Sequence, residues 1–273
     1  MKMKSVVKIF LLLVIILTGA VPAIAQQETN RKYELVFSDE FNLPKGSQPD
    51  STKWVRSMRN PSTWARWISN SKDVVFIKNG RLVCRAIPNR HLETDTARML
   101  TGAVETLGKF SFQYGKVEVR MRTNLKQGNF PAVWLKPVPV RGDSLYGEID
   151  IVETFGNQNS VQHTLHSHMT HILKRNSVRN AFSEKISVKR WHIYGMEWTP
   201  DSITWTVDGK TVGVYQKSRD ELELSFGQWT FDRRFFLRLN QSVGDGSFLR
   251  FTPLTDQVYE TQFDWIRVYQ RSD

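Results

Sequence analysis

Strand patterns separated by tight turns recur along this chain, and they constrain its fold more than any other feature. Residues 81–85, 116–122 and 202–207 alternate in polarity or are rich in β-branched side chains, as expected for strands whose side chains point to two faces in turn. Asn79-Gly80 and Asp208-Gly209 lie between such segments and predict hairpin turns. We therefore predict an all-β fold, a sandwich of two curved antiparallel sheets in which one concave sheet forms a substrate cleft.

The first 25 residues have the features of a signal peptide. Three lysines precede or open an apolar segment at 9–17, and a small-x-small sequence follows at 23–25. The apolar segment is too short to span a membrane, and no later segment is longer. We predict a signal peptide at 1–25, one domain at 26–273, and export to the bacterial periplasm or the medium.

The charge of the chain bears on its partners. Removal of the leader removes three lysines and no acids, so the formal net charge falls from +11 to +8. A basic chain favours an anionic glycan or a nucleic acid as partner, but the absence of long Lys/Arg blocks and the expected export argue against nucleic acid. Cys84 is the only cysteine, so an intrachain disulfide is excluded. We expect a monomer without a membrane span.

Three carboxylates interrupt an apolar segment at residues 148–153, which read Glu-Ile-Asp-Ile-Val-Glu. On a strand, Glu148 and Asp150 share one face, whereas Glu153 falls on the opposite face unless one residue is inserted. We predict a β-bulge at Ile151-Val152, because bulges re-aim side chains at active sites. Closely spaced carboxylates are what retaining glycoside hydrolysis needs. A solvated acidic helix face or an exposed edge strand is the alternative, and the β-branched residues fit a helix poorly.

Four of the six histidines lie at residues 163–171. His166 and His168 would share one face of a strand, so a zinc site is one interpretation. The segment follows the acidic strand after a short loop, which predicts a neighbouring antiparallel strand with its polar face beside the carboxylates. We expect His166 to bind the sugar or to tune the acid/base, and a purely structural histidine is the alternative.

Aromatic residues are abundant, with nine Trp and seven Tyr, and such rings stack on sugars while their polar tips form hydrogen bonds. We predict Trp134 in the cleft. Trp64 and Trp67 lie in a loop-like segment, where exposed rings indicate a ligand. Asn240 is a further candidate for substrate binding. Core packing is expected of four other residues: Trp54, Trp191, Trp198 and Trp265.

These features resemble glycoside hydrolase family 16. The family signature is Glu-x-Asp-x-(x)-Glu, and residues 148–153 match its longer, bulged form. The opening strand of the family resembles segment 35–42, and the strands before the signature resemble segments 108–122 and 128–137. The strand pair after the signature resembles segment 191–210, and the closing strand resembles segment 263–270. The resemblance spans nearly the whole mature chain.

The resemblance implies a β-jelly-roll sandwich and an endo-acting, retaining β-glycanase. Glu148 would be the nucleophile, Glu153 the acid/base, and Asp150 an assisting residue between them. Catalysis would need no cofactor. The resemblance also suggests a structural calcium ion, held by Asp264 and by the segments of Gly80 and Glu40, because calcium prefers oxygen ligands.

The resemblance favours β-1,3- or mixed β-1,3/1,4-glucan as substrate. Many β-1,3-glucanases of the family carry Trp-Pro shortly before the signature, whereas this chain has Tyr146 in that stretch. Tyr146 is therefore a candidate aromatic platform. The alternative within the enzyme class is an endo-β-galactosidase acting on mucin-type glycans or galactans, sulfated or not. A non-catalytic carbohydrate-binding protein and a zinc hydrolase using His166 and His168 are alternatives of other classes.

Overall fold

The computed structural model describes residues 33–246 and 252–272, whose regular secondary structure consists almost entirely of β-strands. The predicted signal peptide lies outside the described residues. A short α-helix, α1, spans Glu221–Ser225, and one π-helical turn spans His168–Ile172. No helix in the described part of the chain is long and apolar enough to cross a membrane. In chain order the strands are β1 (Tyr33–Asp39), β2 (Val55–Arg56), β3 (Val75–Ile77), β4 (Leu82–Pro88), β5 (Met99–Glu105), β6 (Gly115–Thr123), β7 (Asn129–Pro137), β8 (Gly147–Glu153), β9 (Ser160–Ser167), β10 (Ala181–Lys185), β11 (His192–Trp198), β12 (Ser202–Val207), β13 (Lys210–Gln216), β14 (Phe235–Val243) and β15 (Tyr259–Arg271).

The strands form two antiparallel layers, which confirms the all-β, jelly-roll class. Layer 1 has the order β10-β9-β8-β7-β14-β5, with β2 added to β5. Layer 2 has the order β4-β15-β6-β11-β12-β13, with β1 on β15 and β3 on β4. Both predicted hairpins are present, between β3 and β4 and between β12 and β13. Their turn residues, Asn79-Gly80 and Asp208-Gly209, all have positive φ, as a type I′ turn requires.

Strand β5 joins the two layers. Its first residues pair with β4, from Met99 to Thr101, and its last residues pair with β14, from Gly102 to Glu105. A Cβ atom on Gly102 would lie 2.0 Å from the carbonyl oxygen of Val74. Only glycine therefore fits at the point where the chain passes from one layer to the other.

The core lies between the layers and follows from side-chain alternation. On β6, Val117, Val119 and Met121 are buried, while the residues between them are partly exposed. On β8 both faces are largely buried, and Ile149, Ile151 and Val152 belong to the core. Trp205 on β12 crosses the core, and its Nε1 donates to the backbone oxygen of Asp150 on β8 at 2.9 Å. Layer 2 thus holds the strand that carries the acids.

The four tryptophans predicted for the core divide into two pairs. Trp54 and Trp198 are buried, as predicted. The prediction was wrong for Trp191 and Trp265, which are half-exposed. Three arginine guanidinium groups lie 4.8–5.1 Å from the ring centre of Trp191, and Arg267 covers Trp265 at 4.3 Å. Cation–π contacts therefore cover these rings in place of apolar side chains.

Candidate active site

A β-bulge in β8 places the three acids on one side of the strand. Asp150 pairs with Thr164 on β9, and Glu153 pairs with Gln162, so three steps along β8 match two along β9. The pairing with β7 shifts at the same place. The bulge predicted at Ile151-Val152 is confirmed, and both residues are fully buried.

The acids line a groove of about 450 Å³. Its floor comes from β7, β8 and β14, and one wall comes from the loop 57–74. Four residues predicted to bind substrate also line it: Trp64, Trp134, Tyr146 and Asn240. The other lining residues are Asn60, Ser62, Phe130, Ala132, Lys136, His171 and Arg238, together with Glu148, Asp150 and Glu153.

Trp67 does not line the groove, which corrects the prediction made for it. Its ring packs against a small apolar cluster that includes Met99 and Tyr259. The reason is the path of the loop, which runs along β5 with the Trp67 carbonyl accepting from the Thr101 amide at 2.8 Å. Trp64, earlier in the same loop, faces the groove instead.

Glu148 is held by two donors on the same oxygen. The Tyr146 hydroxyl donates to Oε2 at 2.8 Å, and Lys136 Nζ lies 3.3 Å from this oxygen. The Tyr146 ring lies between the Lys136 ammonium, 3.8 Å from its centre, and the His171 ring, which stacks at 4.0 Å. Burial lowers the pKa of Lys136, and the charge of Glu148 opposes this effect.

Asp150 lies between Glu148 and Glu153 and is almost fully buried. Burial and the charge of Glu148 raise its pKa to about 6, although His166 acts in the opposite direction. His166 Nε2 is 3.3 Å from Asp150 Oδ2. Burial disfavours the His166 cation, but the charges of Asp150 and Glu148 outweigh burial and raise its pKa. His166 therefore stands behind Asp150 as a charge partner.

Glu153 has a different environment from Glu148. Its carboxyl group is buried, and the Thr164 hydroxyl donates to Oε2 at 3.2 Å. Burial, followed by the charges of Asp150 and Glu148, raises the pKa of Glu153 well above its ordinary value. Glu148 has a cation and a hydroxyl donor, whereas Glu153 has one neutral donor. Such an asymmetry separates an ionised carboxylate from a protonated one.

An aromatic wall extends the groove beyond the acids. Trp64 and Trp134 meet edge to face with ring centres 4.8 Å apart. Trp134 Nε1 donates to Asn240 Oδ1 at 2.8 Å. The Arg238 guanidinium lies 4.9 Å from the centres of both indole rings, and its Nε donates to Glu105 at 2.7 Å. The wall is thus rigid and offers flat apolar faces beside hydrogen-bonding groups.

The histidine pair does not form the zinc site considered above. Strand β9 ends at Ser167, and His168 begins the π-helical turn, where its Nδ1 accepts from the Tyr146 amide at 3.3 Å. In the described part of the chain, the one set of side chains with metal-ligand spacing is Glu148, Asp150 and His166. The Lys136 ammonium beside Glu148 disfavours a second cation there.

The residues suggested for calcium do not fit a calcium ion. Asp264 accepts from Arg81 at 3.0 Å and also from Arg120. Glu40 binds Arg267 through both oxygens, at 2.8 and 3.0 Å. The two carboxylates that the resemblance implicated are therefore already neutralised by guanidinium groups.

Sequence reasoning missed seven lining residues, the apolar Phe130 and Ala132 and five with polar or charged side chains. Lys136 lies two residues after Trp134, and Arg238 lies two before Asn240, so strand parity from the predicted residues could have found both. His171 belongs to the histidine cluster, but the π-helical turn that aims it was not predicted. Asn60 and Ser62 lie in a loop whose path carries no periodic signal.

Comparison with known proteins gives consistent matches. The family described as "Glycosyl hydrolases family 16" matches residues 64–263. Keratan-sulfate endo-1,4-beta-galactosidase from Sphingobacterium multivorum is 33% identical over 251 residues, which cover 87% of this chain and 55% of that protein. Beta-glucanase from Rhodothermus marinus is 30% identical, covering 87% of this chain and 85% of that protein.

A solved structure is similar over the same region. It comes from work on endo-acting O-glycanases of human gut bacteria that initiate mucin breakdown. The TM-score is 0.73 at 25% identity, covering 88% of this chain and 100% of that one. The chain therefore spans the whole of that solved chain but only about half of the keratan-sulfate enzyme.

Proposed function

Because the chain belongs to glycoside hydrolase family 16, we propose that it is an endo-acting, retaining β-glycosidase that cleaves internal bonds of a polysaccharide. One observation carries the proposal. The bulge in β8 brings Glu148 and Glu153 to the same groove, where a lysine ammonium contacts Glu148 and a neutral hydroxyl contacts Glu153. An open groove of this size suits the interior of a polymer chain.

In the first step, Glu148 attacks the anomeric carbon and forms a glycosyl-enzyme, while the bond to the leaving sugar breaks. Glu153 gives its proton to the leaving oxygen. The raised pKa of Glu153 supports this role, because the group keeps a proton near neutral pH. Asp150 lies between the two glutamates, and its contact with His166 offsets the charge of its carboxylate. The pair therefore limits the repulsion between Asp150 and the glutamates.

In the second step, water attacks the same carbon from the side that the leaving sugar vacated. Glu153 takes a proton from the water, and the bond to Glu148 breaks with its electron pair returning to the carboxylate. Since Glu148 is neutral in the glycosyl-enzyme, one charge that raised the pKa of Glu153 is absent at that stage. The change favours Glu153 as a base.

We propose β-1,3- or mixed-linkage β-glucan as the substrate, supported by the similarity to Beta-glucanase from Rhodothermus marinus. The second candidate is a galactose-containing glycan of keratan or mucin type. Two observations favour it: the identity to Keratan-sulfate endo-1,4-beta-galactosidase is 33%, and Tyr146, stacked between Lys136 and His171, occupies the stretch where many β-1,3-glucanases carry Trp-Pro.

The test is a panel of laminarin, mixed-linkage glucan, keratan sulfate and mucin O-glycans, incubated with the wild type and with Glu148→Gln. We expect the wild type to release short oligosaccharides from one glycan class. The variant should lose several orders of magnitude in turnover, because glutamine cannot act as the nucleophile. Glu118→Gln, on the outer face of β6 beside Lys116, is the matched control and should retain activity.

Two results would contradict the mechanism. One is near-wild-type turnover in Glu148→Gln. The other is initial release of the α-anomer from a β-glycan, followed by NMR, because a double displacement retains configuration.

We further propose that the chain is exported after cleavage of residues 1–25 and acts as a monomer on its glycan. The sequence of the leader supports export. Light scattering of the purified mature chain and N-terminal sequencing of the exported protein test both points.

A further inference from the structure

We propose that Lys136 is a positioning residue that stabilises the Glu148 carboxylate as it leaves the glycosyl-enzyme. Lys136 would thereby set the rate of the second chemical step. The inference rests on the proposed retaining mechanism. It assigns a role to a buried cation that the two-carboxylate chemistry does not itself require.

The geometry fixes Lys136 onto one oxygen of Glu148. Lys136 Nζ and the Tyr146 hydroxyl both contact Oε2, which leaves Oε1 as the oxygen to bond the anomeric carbon. About four-fifths of the surface of each of the Lys136 and Glu148 side chains is buried. Their attraction is therefore screened less than that of a surface ion pair.

Tyr146 keeps the ammonium in place. Lys136 Nζ lies 3.8 Å from the centre of the Tyr146 ring, within the range of a cation–π contact. The backbone of Tyr146 is itself fixed, since its amide donates to His168 and its carbonyl accepts from the Thr230 hydroxyl at 2.8 Å. The Lys136 ammonium is thus preorganised against Glu148.

The consequence follows from the change of charge at Glu148. When Oε1 bonds the anomeric carbon, the carboxylate becomes a neutral ester and Lys136 loses its counter-charge. When water attacks and the ester bond breaks, the electron pair returns to Glu148 and restores the ion pair. Lys136 therefore favours the carboxylate over the ester, and it makes Glu148 a better leaving group in the second step.

Other groups near Glu148 cannot replace this effect. Tyr146 is a neutral donor, and a charge-assisted contact is about twice as strong as a neutral one. Arg238 is paired with Glu105, and His166 lies closer to Asp150 than to Glu148, at 3.3 against 3.8 Å. The remaining titratable groups that line the groove near Glu148 are Asp150, Glu153 and His171.

The test compares Lys136→Met, Lys136→Arg and the wild type on a 2,4-dinitrophenyl β-glycoside of the shortest fragment released from the polysaccharide that is cut. Rapid mixing follows the release of dinitrophenolate, and intact mass after acid quench gives the fraction of glycosyl-enzyme. Lys217→Met is the matched control, since Lys217 also pairs with a carboxylate, Asp232, and faces an aromatic ring, Trp229, but does not line the groove.

For Lys136→Met we expect a burst near one equivalent, accumulation of glycosyl-enzyme and a fall of about tenfold in kcat, while kcat/KM changes less than threefold. Lys136→Arg should restore most of the turnover, and Lys217→Met should behave as the wild type.

Equal loss of kcat and kcat/KM without accumulation of glycosyl-enzyme would overturn the inference, and so would unchanged kinetics. If the methionine variant fails to fold by circular dichroism, Lys136→Gln, which keeps polarity without charge, is subject to the same criteria. Absence of any covalent adduct in the wild type under all conditions, with activity retained in Glu148→Gln, would instead refute the proposed function.

Discussion

The hydrogen bond from Trp205 to the backbone of Asp150 links layer 2 to the acidic strand, and its contribution to the free energy of unfolding can be predicted. Trp205 is fully buried, and its Nε1 donates to the Asp150 carbonyl at 2.9 Å. Trp205→Phe removes the donor and leaves a buried carbonyl short of a partner, at a cost of about 1–3 kcal/mol. The smaller ring leaves a cavity worth about 1–2 kcal/mol more. We expect a loss of about 3 kcal/mol in the free energy of unfolding.

Trp198 provides a matched control within the same core. It is also almost fully buried, but its Nε1 has no hydrogen-bond partner among the described residues. Trp198→Phe deletes the same atoms and also removes an unsatisfied N–H group, so we expect a loss of about 1 kcal/mol or less. The difference between the two variants, about 2 kcal/mol, isolates the hydrogen bond.

Urea unfolding followed by fluorescence and by circular dichroism measures both values, provided that the two transitions coincide. Trp205→Phe should also lower kcat about tenfold with little change in KM, since the strand between the two glutamates loses a support. Trp198→Phe should leave kcat within twofold. Equal destabilisation of the two variants, or a loss of stability in Trp205→Phe with unchanged kcat, would refute this reasoning.

Three further predictions concern charged groups. Glu153→Gln should abolish cleavage of polysaccharide but spare the first step on dinitrophenyl glycosides, whose leaving group needs no proton. In the wild type, the activity should fall as the pH rises through the raised pKa of Glu153. Asp150 has a folded pKa of about 6 against an ordinary value of 3.8, so the folded state binds this proton more tightly than the unfolded state. Its stabilising effect is complete below pH 4 and is lost as the pH rises to 6, and Asp150→Asn should remove up to about 3 kcal/mol of this pH dependence in urea titrations. Because Arg81 and Arg120 neutralise Asp264, a chelator should change the melting temperature by no more than about 1 °C, whereas Arg120→Met should lower it by about 2–4 °C. A large effect of the chelator would show that a metal binds.

The bulge illustrates what local chemistry can predict. Strand side chains alternate with a period of two regardless of tertiary context, so placing Glu148, Asp150 and Glu153 on one face requires one extra residue. Parity also predicted that the polar face of the next strand lies beside the acids, and His166 is found there. Positive φ at the predicted hairpin turns is a local property for the same reason.

Predictions failed where contacts between distant segments decide the outcome. Trp67 and Trp64 have similar neighbours in sequence, and only the course of their loop along β5 sends one ring to an apolar cluster and the other to the groove. Trp191 looked like a core residue because its arginine neighbours come from β6 and from the turn before β4. Lys136 was missed because a strand lysine usually faces solvent, although its spacing from Trp134 places it on the groove face.

The groove is built partly from sheet strands and partly from a loop, and this division has a consequence for how the substrate specificity could be altered. The acids and Lys136 stand on strands whose ladders run through layer 1, so altering them disturbs the fold as well as the chemistry. Asn60, Ser62 and Trp64 stand on the loop 57–74, which carries no part of the reacting set. Surface loops tolerate insertion and replacement far better than sheet strands. Grafting this loop from a relative with another glycan should therefore exchange substrate preference while leaving the reaction itself intact, and it makes the loop the natural starting point for retargeting the scaffold.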